Sequence, residues 1–486
     1  MIHFRNCLTA LPLFVMTGTA GLAADATPEG AVRLTEVFQT YLGKTPGVVT
    51  VTPAGAVYDL RLDAGPLLAK MPEGEGTATV SPLVMQLTDN GDGTWGVTQD
   101  QALDVKIQVP GEIDMSVKVG SYKGTGVFDE KLGVFTTSSA DFTDLTAVQT
   151  ITTPETGQSH SEYSVASGHI DMTGSAGATG GADLVQTFNM SKLSQTIRAP
   201  MEPGGSPVDI ILTADTYNID GTMKGLRSHP VLGTLAFFIA HPSETEVKAA
   251  QEDLRGGLKE ALPVFDSMTA SGLLTNVAAQ TPIGPVTVAR LGVDVDANGL
   301  VADGMAREAI NLDGLVLPPG LVPEWAAALL PEKTALDVKV SGFDLANPIG
   351  QMIATFDLTK PEPLEQAFLD SLLPAFLPNG AVDITLAPGE TVAQAFTLGY
   401  EGTMKVGPEQ QIPTGTAKIS LKGYDAIIAA LSGAPPEVGQ QMLPALTMIR
   451  GMAQQVGDTL VWDIDASTPG TMLVNGADLG PMLGQP

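Results

Sequence analysis

Apolar and polar residues alternate with a period of two over long stretches of this chain. That alternation commits it to extended strands with one face buried and one face wet. Tyr58, Leu60 and Leu62 alternate with Asp59, Arg61 and Asp63. Leu103, Val105, Ile107 and Val109 alternate with Asp104, Lys106 and Gln108. After Pro110-Gly111 the pattern resumes at Ile113, Met115, Val117 and Val119, which predicts an antiparallel hairpin. Asp89-Asn90-Gly91-Asp92-Gly93 is a second hairpin turn, and Gly174 to Gly181 reads as a loop. Aromatic residues are only 5% of the chain, so its cores must be built from small and β-branched residues, which suits sheets.

Helical patterns flank and interrupt the strands. Thr27-Pro28 opens a helix on which Leu34, Val37, Phe38, Tyr41 and Leu42 share a face, and Gly43 ends it. Ser243-Glu244-Thr245-Glu246 is a capping box, followed on one face by Val247, Ala250, Leu254, Leu258, Ala261 and Leu262. Strand patterns return at Val286 to Val295 and at Leu336 to Val340. The expected fold is therefore α+β and β-rich: long curved antiparallel sheet with a few packed helices. At 486 residues the chain is too long for one core. The expected division is 24–216 as a β-rich N-terminal domain, 217–333 as a mixed helix and strand unit, and 334–486 as a second such unit.

The two later units echo each other. Thr222 to Leu226 precedes His229-Pro230, and Lys339 to Phe343 precedes Asn347-Pro348. The helical stretches that follow end in Leu262-Pro263-Val264-Phe265 and Leu373-Pro374-Ala375-Phe376. Leu421-Lys422-Gly423-Tyr424 repeats the strand, glycine and aromatic element, with Leu443-Pro444 after it. Each unit reads as a strand, a glycine turn and a helix that packs back on the sheet. Duplication is the reading, against chance in a chain with 35 prolines and 54 glycines.

The N-terminus has the order of a secretory leader. Arg5 is followed by an apolar run from Leu8 to Met16, broken by Thr9 and Pro12, and then by Gly21-Leu22-Ala23. Cleavage after Ala23 would deliver the chain to the periplasm. Cys7, the one cysteine, would leave with the leader, so the mature chain could form no disulfide. Lys plus Arg is 25 against 54 Asp plus Glu; without Arg5 it is 24 against 54, a net charge of −30. Such a surface repels phosphate backbones and anionic headgroups, which argues against nucleic acid and against electrostatic docking on anionic lipid. The most apolar mature stretch, Val231 to Ala240, is half the roughly 20 residues a helical span needs. Leu232, Leu235, Phe237, Phe238 and Ile239 point all round it. They are the candidate apolar ligand or lid residues, against the plainer reading of a buried helix.

His160, His169, His229 and His241 form no His-Glu-x-x-His pair, and without cysteine a zinc site would need scattered carboxylates. Gly43-Lys44-Thr45 ends like a phosphate loop, but Phe38 stands where its first glycine belongs and Pro46 blocks the helix. No Gly-x-Ser-x-Gly elbow and no dinucleotide fingerprint occur. Asp294-Val295-Asp296-Ala297-Asn298-Gly299 matches half a calcium loop, yet Met305 stands where the bidentate Glu should be. It follows an alternating strand, so a hairpin turn is the better reading. No catalytic residue, cofactor or metal ligand is expected.

The overall layout resembles an uncharacterised envelope-protein family of alphaproteobacteria, domain of unknown function 2125. The leader, the early helix before alternating strands, Asp89 to Thr94, Leu336 to Phe343 and Gly415 to Ala426 carry the resemblance. It implies an envelope location and brings no activity and no site residues. The leading expectation is a non-catalytic periplasmic protein that holds lipid or other apolar material, or a partner, on a curved sheet. A structural or assembly factor working through protein contacts with an envelope protein is the alternative, and a hydrolase without a recognisable motif comes third. The leader reading predicts Ala24 as the N-terminus of protein recovered from the periplasm. Mass-spectrometric sequencing that found Met1 retained would remove the basis for secretion.

Overall fold

The computed structural model describes residues 25–69, 76–153, 157–200, 207–241, 243–281, 283–408 and 413–479. The expected leader and its expected cleavage site lie outside the described residues. The first helix, α1 (Pro28–Leu42), forms as its sequence predicts: Thr27 Oγ1 accepts from Gly30 N at 3.0 Å, and Gly43 ends it at φ 76°. Strands β1 (Val49–Ala54) and β2 (Val57–Leu62) follow, then α2 (Gly65–Leu68), β3 (Thr77–Val80) and β4 (Leu83–Asp89). Six long strands come next: β5 (Thr94–Val109), β6 (Ile113–Asp129), β7 (Val134–Thr153), β8 (Gly157–Ala176), β9 (Ala182–Pro200) and β10 (Pro207–Leu226). Helices α3 (Ser228–Ala240), α4 (Glu244–Ala249) and α5 (Gln251–Ala261) lead to β11 (Ser267–Thr281), β12 (Gly284–Asn298) and β13 (Gly304–Val316). A short α6 (Glu324–Ala327) precedes β14 (Pro331–Phe343), and α7 (Ala346–Thr355), α8 (Gln366–Ser371) and α9 (Leu373–Phe376) precede β15 (Val382–Ala393). Strands β16 (Thr397–Val406) and β17 (Thr414–Lys422), helices α10 (Tyr424–Ser432) and α11 (Pro436–Gly451), and β18 (Gln454–Val456), β19 (Thr459–Asp465), β20 (Leu473–Val474) and β21 (Ala477–Asp478) complete the chain.

All these strands belong to one antiparallel sheet. From β4 to β17 each strand pairs with the next in sequence, so the sheet is a meander. It is curved and unclosed. Strands β7, β8 and β10 have 20 residues each, about 66 Å of extended chain, where five or six residues is usual. The accessible surface is 28714 Å², against about 17,000 Å² for a compact chain of 486 residues. Counting every undescribed residue at unfolded exposure still leaves a surplus of about a third. Much of the sheet is therefore a single layer. The expected divisions at 216/217 and 333/334 fall inside β10 and β14, and strand pairing runs on through both positions.

Paired residues share a face, so the register sorts the side chains. One face carries Leu103, Val119, Leu145, Val165 and Leu193 in one row, and Tyr122, Phe142, Met190, Tyr217, Leu274, Leu291 and Leu312 in the next. The opposite face carries Asp104, Lys118, Thr146, Ser164 and their like. Between the two apolar rows a crease crosses the sheet. Asp144, Lys192 and Asn276, on alternate strands, have φ of 54°, 53° and 48°, and Gly314 follows at 71°. A left-handed residue shifts the alternation by one position. Phe142 and Leu145, Met190 and Leu193, and Leu274 and Val277 are therefore three residues apart and on one face. Val165, which is 1% exposed, belongs to a core cluster whose members all come from β6 to β11. With no other layer over it, the sheet must curl toward its apolar side here.

Helices close two further cores. Ala31 and Leu34 of α1 pack on the apolar face of the N-terminal strands, against Leu60, Leu87, Trp95 and Val97. Tyr424, Ile427 and Ile428 of α10 pack with Leu421, Leu460 and Trp462 at the other end of the meander. The sequence echo has a local counterpart: Gly225, Gly342 and Gly423 each turn a strand into a helix at φ 65°, 84° and 91°. The meander puts the first two at one end of the sheet and the third at the opposite end. The half-calcium motif is the expected hairpin, with a loop over 299–303 rather than a two-residue turn. Gly299 is needed because a Cβ there would lie 1.8 Å from the Phe265 carbonyl oxygen.

The crease predicts a reversal of β propensity. Valine favours strands, but at φ near +50° a β-branched residue is an outlier where an unbranched one is tolerated, an added strain of about 1 kcal/mol. Lys192 is exposed and its φ is 53°. Lys192→Val is expected to lower the unfolding free energy by about that amount in urea titration, with Lys192→Gly close to wild type. A stabilising Lys192→Val would contradict the crease.

Candidate functional site

The five residues singled out in the sequence all lie on α3. This helix starts at Ser228 and runs to Ala240, and no charged residue falls within it. Its start is fastened to the β6–β7 connection: Ser228 Oγ donates to the Leu132 carbonyl, and His229 Nε2 lies 3.0 Å from the Lys131 carbonyl. Arg227 pairs with Asp266 at 3.0 Å just before it. Helix α3 packs between α1 and α5, α5 on α7, and α7 on α9, so the helices form a continuous row. Arg255 of α5 joins it to the next unit, donating to the Ile353 carbonyl at 3.0 Å and the Phe356 carbonyl at 2.6 Å. Among the five, Ile239 faces Gly43 at the end of α1, and Phe237 stacks 4.3 Å from the His241 ring. Phe238 meets Phe237 edge to face at 5.5 Å. Leu235 and Phe238 are 51% and 48% exposed and, with Val231, form an apolar stripe on the open side of the helix. Leu232 is half-buried.

Sequence reasoning did not single out the broader feature, the apolar face of β12 to β16. Ile310 pairs directly with Leu336, Val338 with Leu386, and Val340 with Ile384, which faces Met404. On β12 to β14 no large apolar side chain of this face is buried. Ile310, Leu336 and Met404 are 36%, 37% and 37% exposed. The signal was present in the alternation of these strands. What alternation cannot tell is whether a second layer covers the apolar side.

Several charges of the polar face are paired across strands. Arg307 bridges three strands, donating to Asp337 through Nε and Nη2 and to Asp296 through Nη1 at 2.7–2.9 Å. Asp294 accepts from Ser271 Oγ at 2.5 Å. These partners account for the acidic residues of the half-calcium motif. Shallow grooves of about 620 Å³ and 270 Å³ on this face are lined by such residues, among them Asp100, Lys123 and Asp141, and Asp220, Asp296 and Arg307. His169 lies with Nδ1 2.7 Å from Asp141 and Nε2 2.8 Å from Asp171. A neutral imidazole has one N–H to donate, so two carboxylates call for the imidazolium. The hydrogen bond to Asp141, then that to Asp171, holds the His169 pKa above its ordinary 6.5.

Among the described residues, no group of three His, Cys, Asp or Glu could hold a metal ion, and no helix is long and apolar enough to cross a membrane.

The stability that His169 contributes is fully present below about pH 6.5, its unfolded value, and is lost as pH rises through the higher folded value. Titration followed by NMR is expected to show His169 above 6.5, with Asp141→Asn bringing it down. An unshifted His169 in the wild type would mean the pairs do not form in solution.

Compared with protein-family profiles, with curated proteins and with solved structures, the chain matches none.

Proposed function

We propose that this is a secreted, non-catalytic protein of the bacterial envelope that holds apolar molecules, lipid chains among them, on the open apolar face of its sheet. The observation that carries the reading is the exposure of Ile310 and Leu336, paired on adjacent strands, with Met404 on the same face. Large contiguous apolar patches on a folded chain mark binding surfaces. The exposed stripe of α3, Val231, Leu235 and Phe238, supports a second apolar contact at the helical row. The envelope location rests on the leader and on the resemblance described above.

Assembly through a sheet edge is the second reading. One observation favours it: β19 is covered on its outer edge by β18 and β20, whereas among the described residues β1 pairs with β2 alone. An uncovered edge is a template for strand addition.

Fluorescence of N-phenyl-1-naphthylamine, which brightens in apolar surroundings, separates the readings. The wild type is expected to bind the dye, and native mass spectrometry of protein from its source cell to find copurified lipid. Leu336→Asp should abolish most dye binding with little loss of stability, because the site is exposed. Phe238→Asp should also leave the fold standing, since that side chain is 48% exposed. A drop in dye binding in Phe238→Asp assigns α3 to the ligand. No dye binding and a stoichiometric protein partner would favour the edge reading instead.

A further inference from the structure

The apolar face is almost free of charge. Following the paired register from β5 to β17, and leaving aside the crease and the strand ends, one charged side chain falls on it among the described residues: Glu308 of β13. Its direct cross-strand partners are Val295 and Val338. Along its own strand the next side chains on that face are Ala306 and Ile310. Its sequence neighbour Arg307 points to the polar face and is taken by Asp296 and Asp337. Glu308 is exposed, and no cation among the described residues pairs with it.

That placement discriminates between occupants. A neutral chain lying over this part of the face would strip water from an unpaired carboxylate, which is costly. An anionic head would add repulsion, in a chain whose net charge is already −29. A protonated amine would instead replace the lost water with a charge-assisted hydrogen bond. Resting on the proposed binding of apolar molecules at this face, we infer that the site takes an amphiphile with a protonated amine head. The head sits against Glu308, and the chain lies over Ile310, Leu336 and their neighbours.

The test displaces N-phenyl-1-naphthylamine from the full chain with dodecylammonium or with dodecanol, both below their aggregation limits. Wild type is expected to release the dye at roughly three- to fivefold lower dodecylammonium than dodecanol, the worth of one partly exposed ion pair. Glu308→Gln should remove that preference, with dodecylammonium displacing the dye less well and dodecanol at least as well as from wild type. Glu162→Gln, on the polar face of β8, should keep the preference, which separates Glu308 from the overall negative charge. Equal midpoints in the wild type, a preference that survives Glu308→Gln, or one that Glu162→Gln also removes would each overturn the inference while leaving apolar binding intact. A wild type that binds no dye would overturn the binding reading itself, and this inference with it.

Discussion

Backbone hydrogen bonding between neighbouring strands carries this molecule, because over much of the sheet no second layer shares the task. Each strand from β5 to β16 pairs on both sides with its neighbours in the meander, interrupted only by local register shifts. A gap anywhere would leave long rows of donors and acceptors unpaired. The ladder therefore runs unbroken through 216/217 and 333/334, where changes in sequence pattern suggest separate units. Helical insertions interrupt the chain without interrupting the sheet. They leave at one strand end and return to the next strand, so the meander absorbs them.

Curvature has an identifiable cause. A flat sheet with a polar and an apolar face would leave the whole apolar side wet. Here left-handed residues on β7, β9 and β11 shift the alternation at one transverse line, and two apolar rows come to lie side by side. The rows shield one another as the sheet curls, and Val165 is sealed without any covering helix. Farther along, at β12 to β16, the same face stays open. The protein thus has a sealed stretch and an accessible stretch on one continuous apolar surface. The helical row and α10 pack at its flanks.

The two faces treat charge in opposite ways. On the polar face, several charges have cross-strand partners, Arg307 with Asp296 and Asp337, Lys333 with Glu390, and His169 with Asp141. These pairs are partly exposed, so each contributes modestly; their effect is to favour one register. Glu308 stands apart because it sits among apolar neighbours with no such partner.

Local structure was legible in the residues. Thr27-Pro28 and Gly43 bound a real helix, Ser243 and Glu246 form the capping box, and the hairpin about Pro110-Gly111 forms where the alternation pauses. The long two-faced antiparallel sheet was legible too, because period two leaves no other regular structure that buries one side. The crease was written in the sequence as three-residue spacings, Phe142 to Leu145 and Met190 to Leu193, but alternation alone does not say which residue takes the left-handed turn. Glu308 was one acidic residue among 54 until register placed it between two valines. The sequence by itself determined strands, caps and the existence of an apolar face, since these depend on neighbours a few residues away. Only the tertiary structure decided that all the strands join one sheet, where that sheet curls, and which part of the apolar face is left uncovered. Those depend on pairings between distant segments and on the presence or absence of a second layer, which no local pattern records.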